Sequence, residues 1–279
     1  GAPVMVRPPR RMALGVPAYR GQIHAGHLEQ LHNLIGACAM SQVSAQKQRH
    51  TDQLLIGHRP AFAFAGIIRI ESCSIAKSRN LMLYGALKSN AIDWLLMCDA
   101  DNYLVGDARA VTRMLADADH AGAAVVVAPV LRRDGVYNVV GEDDEEKQDE
   151  PAGGALHVPT AATSGMHSLD AGEFRGRLVE VRRAGTAFMA LNVDWFRANW
   201  PAQPWFRFEQ IERDDGQPDE ISEDHFLCDG VRQRGGKILC DGRFEPLHEG
   251  APYHLVKAPA AAEATAPRAP SPAAVAAHG

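Results

Sequence analysis

Short apolar segments alternate with segments whose apolar residues recur at helical spacing. In the first half of the chain, strand-like segments cover residues 12–17, 61–70, 93–98 and 122–131, and helix-like segments cover residues 24–40, 74–90 and 107–119. This alternation predicts a layered α/β fold with a largely parallel sheet. Ligands of such folds bind at the carboxyl ends of the strands, where Pro17 and Asp99 are expected to lie.

The second half of the chain continues the pattern. It predicts a strand over residues 178–185, a strand running into a short helix over 186–200, a helix over 221–236 and a last strand over 237–241. Solvated loops are expected at 141–154 and 160–172. Residues 61–70 are expected to form a buried strand. From helix 74–90, the side chains expected to face the core are Ile75, Leu81, Met82 and Ala86.

Composition limits the class of protein and its partners. The formal net charge of −5 argues against non-specific binding to nucleic acid, which needs a basic surface. The five cysteines are odd in number and lack C-x-x-C spacing, which favours reduced thiols in a cytoplasmic protein over disulfides or a zinc site. No segment approaches the roughly 18 consecutive apolar residues of a membrane span.

The apolar segment "DWLLMC" ends in two acids, Asp99 and Asp101. In an extended segment, residues two apart point to the same side, so the two carboxylates would repel each other unless a cation lies near them. Hard oxygen ligands suit Mg²⁺ or Mn²⁺ bound together with substrate phosphates. The structural alternative is that Asp99 caps the next turn and Asp101 with Asn102 forms that turn.

A second group of acids stands in "SEDHFLC". Ser222 is a plausible N-cap residue, and Glu223 and Asp224 fall in the first helical turn, where acids complement the helix dipole. That capping role alone would explain one of the two acids. A carboxylate in this position could also act as a general base.

Taken in order and spacing, six blocks within residues 12–256 resemble the GT-A glycosyltransferases, and most closely their family 2-like bacterial and phage members. The blocks are "MALGVPAYRGQIHAGHLEQL", "SIAKSRNLMLYGAL", "DWLLMCDADN", "AGTAFMALNVDWF", "SEDHFLCDGVRQRGGKILCD" and "LHEG". The resemblance implies a single Rossmann-like α/β/α domain in three layers around a mixed, mostly parallel sheet. We place that domain at residues 12–257, with a flexible insertion at 141–172. An extension at 1–11 and a disordered Ala/Pro-rich tail at 258–279 flank it.

The resemblance also implies a role for particular residues. The donor-binding residues would be Pro17, Ala18, Tyr19, Arg79, Asn80, Asp99 and Ala100. A Mn²⁺ or Mg²⁺ ion would be held by Asp99, Asp101 and His248. Asp224 would be the catalytic base, assisted by Glu223, and Gly185 and Thr186 would lie on the acceptor side. The acidic segment 142–150 is a candidate lid.

The resemblance thus implies metal-dependent, hexosyltransferase-type transfer of a sugar from a nucleotide-diphosphate sugar, UDP- or GDP-linked, to a hydroxyl. Direct displacement with Asp224 as base would invert the anomeric configuration, and a retaining reaction stays open. The acceptor also stays open between a saccharide, a lipid-linked glycan, a small metabolite and a modified base in phage DNA. Two other classes remain as alternatives, a sugar-nucleotide nucleotidyltransferase and a degenerate nucleotide-sugar-binding module.

Overall fold

The computed structural model of the chain describes residues 9–18, 31–42, 62–71, 74–103, 108–142, 166–212 and 216–248. Tyr19, the acidic segment 143–154 and the Ala/Pro-rich tail lie outside the described residues. The domain limits therefore stay predictions. Within the described ranges, no helix has the length and apolar character needed to cross a membrane.

Fourteen strands are described in these ranges. In chain order they are β1 (Arg10–Ala18), β2 (Phe62–Glu71), β3 (Trp94–Cys98), β4 (Asn102–Tyr103), β5 (Val125–Val127), β6 (Val139–Glu142), β7 (Met166–Ser168), β8 (Leu178–Glu180), β9 (Arg183–Ala184), β10 (Phe188–Asn192), β11 (Glu209–Glu212), β12 (Pro218–Ile221), β13 (Ile238–Asp241) and β14 (Leu247–His248). The helices are α1 (residues 31–42), α2 (Ile75–Lys88), α3 (Arg109–His120), α4 (Ala171–Phe174), α5 (Val193–Asn199) and α6 (Glu223–Gln233).

The main sheet has seven strands in the order β2-β1-β3-β10-β5-β13-β8. Strands β2, β1, β3, β5 and β13 share one direction, and β10 and β8 run against their neighbours. The sheet is therefore mixed and mostly parallel, which confirms the predicted fold class.

Helices cover both faces of this sheet because successive side chains of a strand point to opposite faces. From β3, Leu95 and Met97 join a core cluster with side chains of α2, α5 and α6. The alternate residues Trp94, Leu96 and Cys98 join a second cluster with side chains of α1 and α3. The result is the three-layer arrangement that the resemblance implies.

The expected burial of β2 is wrong because this strand forms an edge of the main sheet. Phe62 is fully buried at its start, but Ile67 is 48% exposed. Strand β2 therefore gives the core only part of its apolar surface. On the neighbouring helix α2, Met82 and Ala86 are buried as predicted, Leu81 is 40% exposed, and Leu83 takes a core position that the sequence pattern did not identify.

Two segments differ from their predicted secondary structure. Residues 178–185 form two strands in different sheets, because β8 pairs with β13 while β9 pairs with β6. The described part of 160–172 is ordered rather than loop-like, since β7 also pairs with β6 and α4 begins at a capping box formed by Asp170 and Glu173. The small sheet β7-β6-β9 was missed because its strands are only two to four residues long.

Two helical glycines should respond in opposite ways to alanine. A Cβ added at Gly230 of α6 would overlap the ring of Trp200, whereas at Gly85 of α2 the nearest atom is Ile68 Cδ1 at 4.0 Å. We expect Gly230→Ala to lower the free energy of unfolding by about 1–3 kcal/mol through overpacking. Gly85→Ala should raise it by up to about 1 kcal/mol. Urea unfolding measures both, and a stabilised Gly230→Ala variant would contradict the packing of α6 on Trp200.

Candidate active site

The charged end of β3 forms a tight turn. All five residues of β3 are buried. After it, the Asp99 amide donates to the Ala187 carbonyl at 3.1 Å, and the Asn102 amide donates to the Asp99 carbonyl at 3.0 Å. These two hydrogen bonds fix the turn, and the carboxylates of Asp99 and Asp101 make side-chain contacts.

A buried guanidinium joins the end of β3 to the start of α6. Arg79 of α2 is 4% exposed, and its Nη2 donates to Asp99 Oδ1 at 2.9 Å and to Oδ2 at 3.0 Å. Its Nη1 donates to Glu223 Oε1, and Glu223 is 6% exposed. The consecutive elements α2 and β3 therefore meet the distant helix α6 at one cation.

The charges of this cluster do not balance. Burial raises the pKa of Asp99 and that of Glu223, and Arg79 opposes the shift in both. Burial alone would lower the pKa of Arg79, but the nearby carboxylates of Asp99, Glu223 and Asp224 raise it. One guanidinium thus faces three acids, an arrangement that favours the arrival of a further cation.

Asp224 is held by one of its two oxygens. Its Oδ1 accepts hydrogen bonds from the Ser222 hydroxyl and, at 2.8 Å, from the His225 amide. Ser222 occupies the N-cap position of α6 as predicted, but its side chain makes no capping hydrogen bond. The hydroxyl orients Asp224 instead, and Oδ2 has no hydrogen-bond partner among the described residues.

The pairing of β14 with β4 brings His248 to Asp101 across 147 residues of sequence. His248 lies opposite Asn102 in the register, and its Nε2 is 3.2 Å from Asp101 Oδ2. Arg133 Nη2 is 3.5 Å from the same oxygen. Among the described residues, no group of three His, Cys, Asp or Glu is arranged to hold a metal ion.

Asp101 and His248 nevertheless fit two ligands of one metal ion. Metal–ligand bonds of about 2.1 Å place neighbouring ligand atoms roughly 3 Å apart, close to the separation of 3.2 Å seen here. Asp99 fits less well, because both of its oxygens accept N–H groups of Arg79. The arrangement therefore does not support Asp99 as a direct ligand.

A cavity of about 490 Å³ opens beside the acids. Its lining residues come from both sides of the site: Ile75, Arg79, Asp99, Arg132, Tyr137, Asn138, Val140, Met166, His167, Ser168, Arg183, Gly185, Thr186, Ala187, Ser222, Glu223, Asp224 and His225. Asp101 and His248 are not part of this lining. The cavity thus brings together six candidates from the sequence analysis: Arg79, Asp99, Gly185, Thr186, Glu223 and Asp224.

Two of the acceptor-side predictions occupy restricted positions. A Cβ on Gly185 would lie 2.9 Å from Asn138 Nδ2, so a larger residue here would require the Asn138 side chain to shift. Thr186 is 1% exposed, and its Oγ1 has no hydrogen-bond partner among the described residues. A buried hydroxyl without a partner is costly unless a ligand completes it.

The remaining donor-side predictions lie outside the cavity lining. Asn80 accepts from the Trp205 amide at 3.0 Å and donates to the Phe206 carbonyl at 2.6 Å, so its placement indicates a structural role in holding that segment. Pro17 and Ala18 end β1 opposite Ile70 and Glu71 of β2. Ala100 lies in the turn between the two aspartates.

Apart from Arg79, sequence reasoning missed the basic residues that line the cavity. Arg183, on β9, is 6% exposed and pairs with Asp229 of α6. Arg132 and His225 also line the cavity. The available signal was an arginine two residues before Gly185, inside a segment predicted to be an ordinary strand.

Comparison with known proteins gives low-identity structural likenesses. No protein-family model matches the chain, and no curated protein matches it. Among solved structures, A197 from STIV matches with a TM-score of 0.48 and 12% identity over 85% of each chain. GalNAc-T7 with UDP, GalNAc and Mn²⁺ matches with a TM-score of 0.47 and 12% identity over 87% of this chain and 45% of that chain. Both TM-scores are below 0.5, so the functional inference rests on this chain's own residues.

Those residues and the fold agree with the GT-A type that the sequence resembles. The mixed sheet lies between two helical layers. The D-x-D turn ends a central strand, and the acids of α6 lie beside it.

The raised pKa of Glu223 predicts a pH-dependent stability. Its carboxyl ionises at lower pH in the unfolded chain than in the folded chain. The stability contributed by neutral Glu223 is therefore fully present below about pH 4.3 and is lost as pH rises through the folded-state pKa. Because Gln cannot ionise, the free energy of unfolding of the wild type should fall relative to Glu223→Gln across this window.

Urea unfolding at a series of pH values measures this difference. Glu209→Gln is the matched control, because Glu209 forms an exposed pair with Arg207. A wild type that instead gains stability relative to Glu223→Gln as pH rises would mean that the ion pair with Arg79 outweighs burial.

Proposed function

We propose that the chain is a metal-dependent glycosyltransferase that moves a sugar from a nucleotide-diphosphate sugar to a hydroxyl acceptor. The main observation in support is the bridge of Arg79 between Asp99 and Glu223, with Asp224 beside it in the same cavity. This bridge joins the strand end where a donor diphosphate would lie to the helix start where an acceptor would be deprotonated.

Asp224 has the arrangement of a general base. Its Oδ1 is fixed by Ser222 and by the His225 amide, so Oδ2 is the oxygen available to take the acceptor proton. Glu223 is committed to Arg79 and therefore orients the site rather than acting as the base. Gly185 lies on the acceptor side of the cavity, and the Thr186 hydroxyl can bind the acceptor.

Asp101 and His248 would hold a Mn²⁺ or Mg²⁺ ion. When bound, the ion supplies charge neutralisation for the leaving diphosphate. Arg133 also contacts Asp101, so a positive side chain is already near that carboxylate.

The stereochemistry follows from the role of Asp224. A base that activates the acceptor opposite the leaving group gives direct displacement and inversion at the anomeric carbon. A retaining reaction with the same residues is the competing outcome, and analysis of the product anomer separates the two. The donor base and sugar are not specified by the described residues.

Nucleotide binding should require a metal ion held by Asp101 and His248. In a thermal-shift panel of UDP, GDP, CDP, dTDP and their sugars, one nucleotide family should raise the melting temperature with Mn²⁺ and not without it. Saturation at about 100 Kd adds roughly 2.7 kcal/mol to the free energy of unfolding. Asp101→Asn and His248→Asn should each remove most of the metal-dependent shift, because each removes a proposed ligand.

Glu180→Gln is the matched control for these variants, since Glu180 is an exposed acid outside the cavity lining. It should retain the full shift. Absence of a metal-dependent shift for every nucleotide in the wild type would count against the transferase and favour a degenerate module.

Loss of the base should separate chemistry from donor binding. Asp224→Asn keeps an oxygen to accept from Ser222 but cannot take a proton. We expect sugar transfer, or donor hydrolysis measured as nucleotide release, to fall about 10²- to 10⁴-fold. The metal-dependent nucleotide shift should be unchanged. Equal rates in Asp224→Asn and wild type would exclude Asp224 as the base.

A further inference from the structure

Two arginines, Arg183 and Arg132, also line the cavity, and together they are called the arginine wall below. Arg183 of β9 is almost fully buried, and Asp229 fixes it through two hydrogen bonds, from Nε to Oδ1 at 2.8 Å and from Nη2 to Oδ2 at 2.6 Å. Both bonds use the same edge of the guanidinium. Its Nη1 has no hydrogen-bond partner among the described residues, while the side chain lines the cavity. Arg183 is therefore a pre-oriented donor on this wall.

A second guanidinium on this wall comes from the turn after β5. Arg132 is held by its backbone, which accepts from the Gly135 amide at 3.0 Å and donates to the Val136 carbonyl at 2.9 Å. Its side chain lines the cavity and pairs with Asp134 at 2.7 Å, but both side chains are about half exposed. An exposed pair of this kind is weak, so Arg132 can turn towards a ligand at little cost.

The imidazole of His225 also lines the cavity and interacts electrostatically with both arginines and with nearby acids. Burial lowers the pKa of His225, and the guanidinium groups of Arg183 and Arg132 act in the same direction, whereas Asp224 and Asp229 oppose them. His225 therefore senses both arginines and the proposed base. A neutral imidazole adds no charge, so the positive character of this wall comes from the arginines.

We propose that the acceptor carries an anionic group, a carboxylate or a phosphate, which Arg183 and Arg132 bind. This inference rests on the proposed function and names the substrate class of the same cavity. Guanidinium groups favour carboxylate and phosphate geometry. Asp99, Glu223 and Asp224, which line the same cavity, repel such a group. In this proposal the acceptor binds with its anion at the arginines and its hydroxyl at Asp224.

The test is a calorimetric titration of the full chain with three related sugars: D-glucose, D-glucuronate and D-glucose 6-phosphate. We expect at least one anionic sugar to bind about tenfold or more tightly than glucose, a margin typical of one charge-assisted contact. The tighter anion distinguishes a carboxylate site from a phosphate site. Equal affinity for all three sugars, or no binding of either anion, would overturn the proposal.

The variant for this test is the double substitution Arg183→Gln with Asp229→Asn. It removes both charges of the buried pair together, so that no unpaired carboxylate is left to unfold the protein. The preference for the anion should shrink to within about threefold. Arg132→Gln alone, at an exposed position, should also weaken it.

The matched control neutralises an exposed pair outside the cavity lining, Arg207→Gln with Glu209→Gln, and should keep the full preference. An unchanged preference in the Arg183 and Asp229 double variant would overturn the proposal.

A repeat titration with saturating nucleotide and Mn²⁺ separates the acceptor from the donor. Anion binding that persists supports an acceptor subsite. Competition with the nucleotide would mean that Arg183 and Arg132 bind the donor diphosphate, and it would overturn the proposal. Because the first titration contains no nucleotide, failure of nucleotide binding counts against the proposed function alone.

Discussion

The site depends on the buried guanidinium of Arg79. It links α2, the end of β3 and the start of α6 through Asp99 and Glu223. Loss of this side chain would leave two largely buried carboxylates without their cation, a change that typically costs about 3–5 kcal/mol. Sequence analysis predicted that Arg79 would contact the donor. The structure commits both of its terminal nitrogens to acids, so its first role is to set the distance between the two halves of the site.

The same bridge determines what the cavity can bind. Arg79 neutralises only part of the charge around it, so the acids that line the cavity favour positive charge developing on a substrate. Arg183 and Arg132 line the same cavity with positive side chains. A ligand in this cavity can contact groups of both signs, and such complementarity contributes to specificity more than to affinity.

Much of the fold was predictable from sequence because its signals are local. The strand-to-helix alternation predicted β1, β3, β10 and β13. The abrupt end of the apolar segment at Cys98 indicated that Asp99 and Asp101 follow a strand end. The contacts that build the site are not local, since Arg79 and Glu223 are 144 residues apart and Asp101 and His248 are 147 apart. No periodicity reports such pairs, and only the resemblance suggested His248. The break between β8 and β9 was also not predictable, because the pattern of residues 178–185 does not show that its two halves pair in different sheets.

The reversed direction of β10 explains why residues 183–187 reach the active site. A strand parallel to β3 would begin at the opposite edge of the sheet and could not bring its preceding residues to Asp99. Because β10 runs antiparallel, Phe188 lies opposite Cys98, and the Ala187 carbonyl accepts the Asp99 amide. The residues just before β10 therefore lie beside the end of β3. Gly185, Thr186 and, two residues before Gly185, Arg183 line the cavity as a consequence of this single reversal.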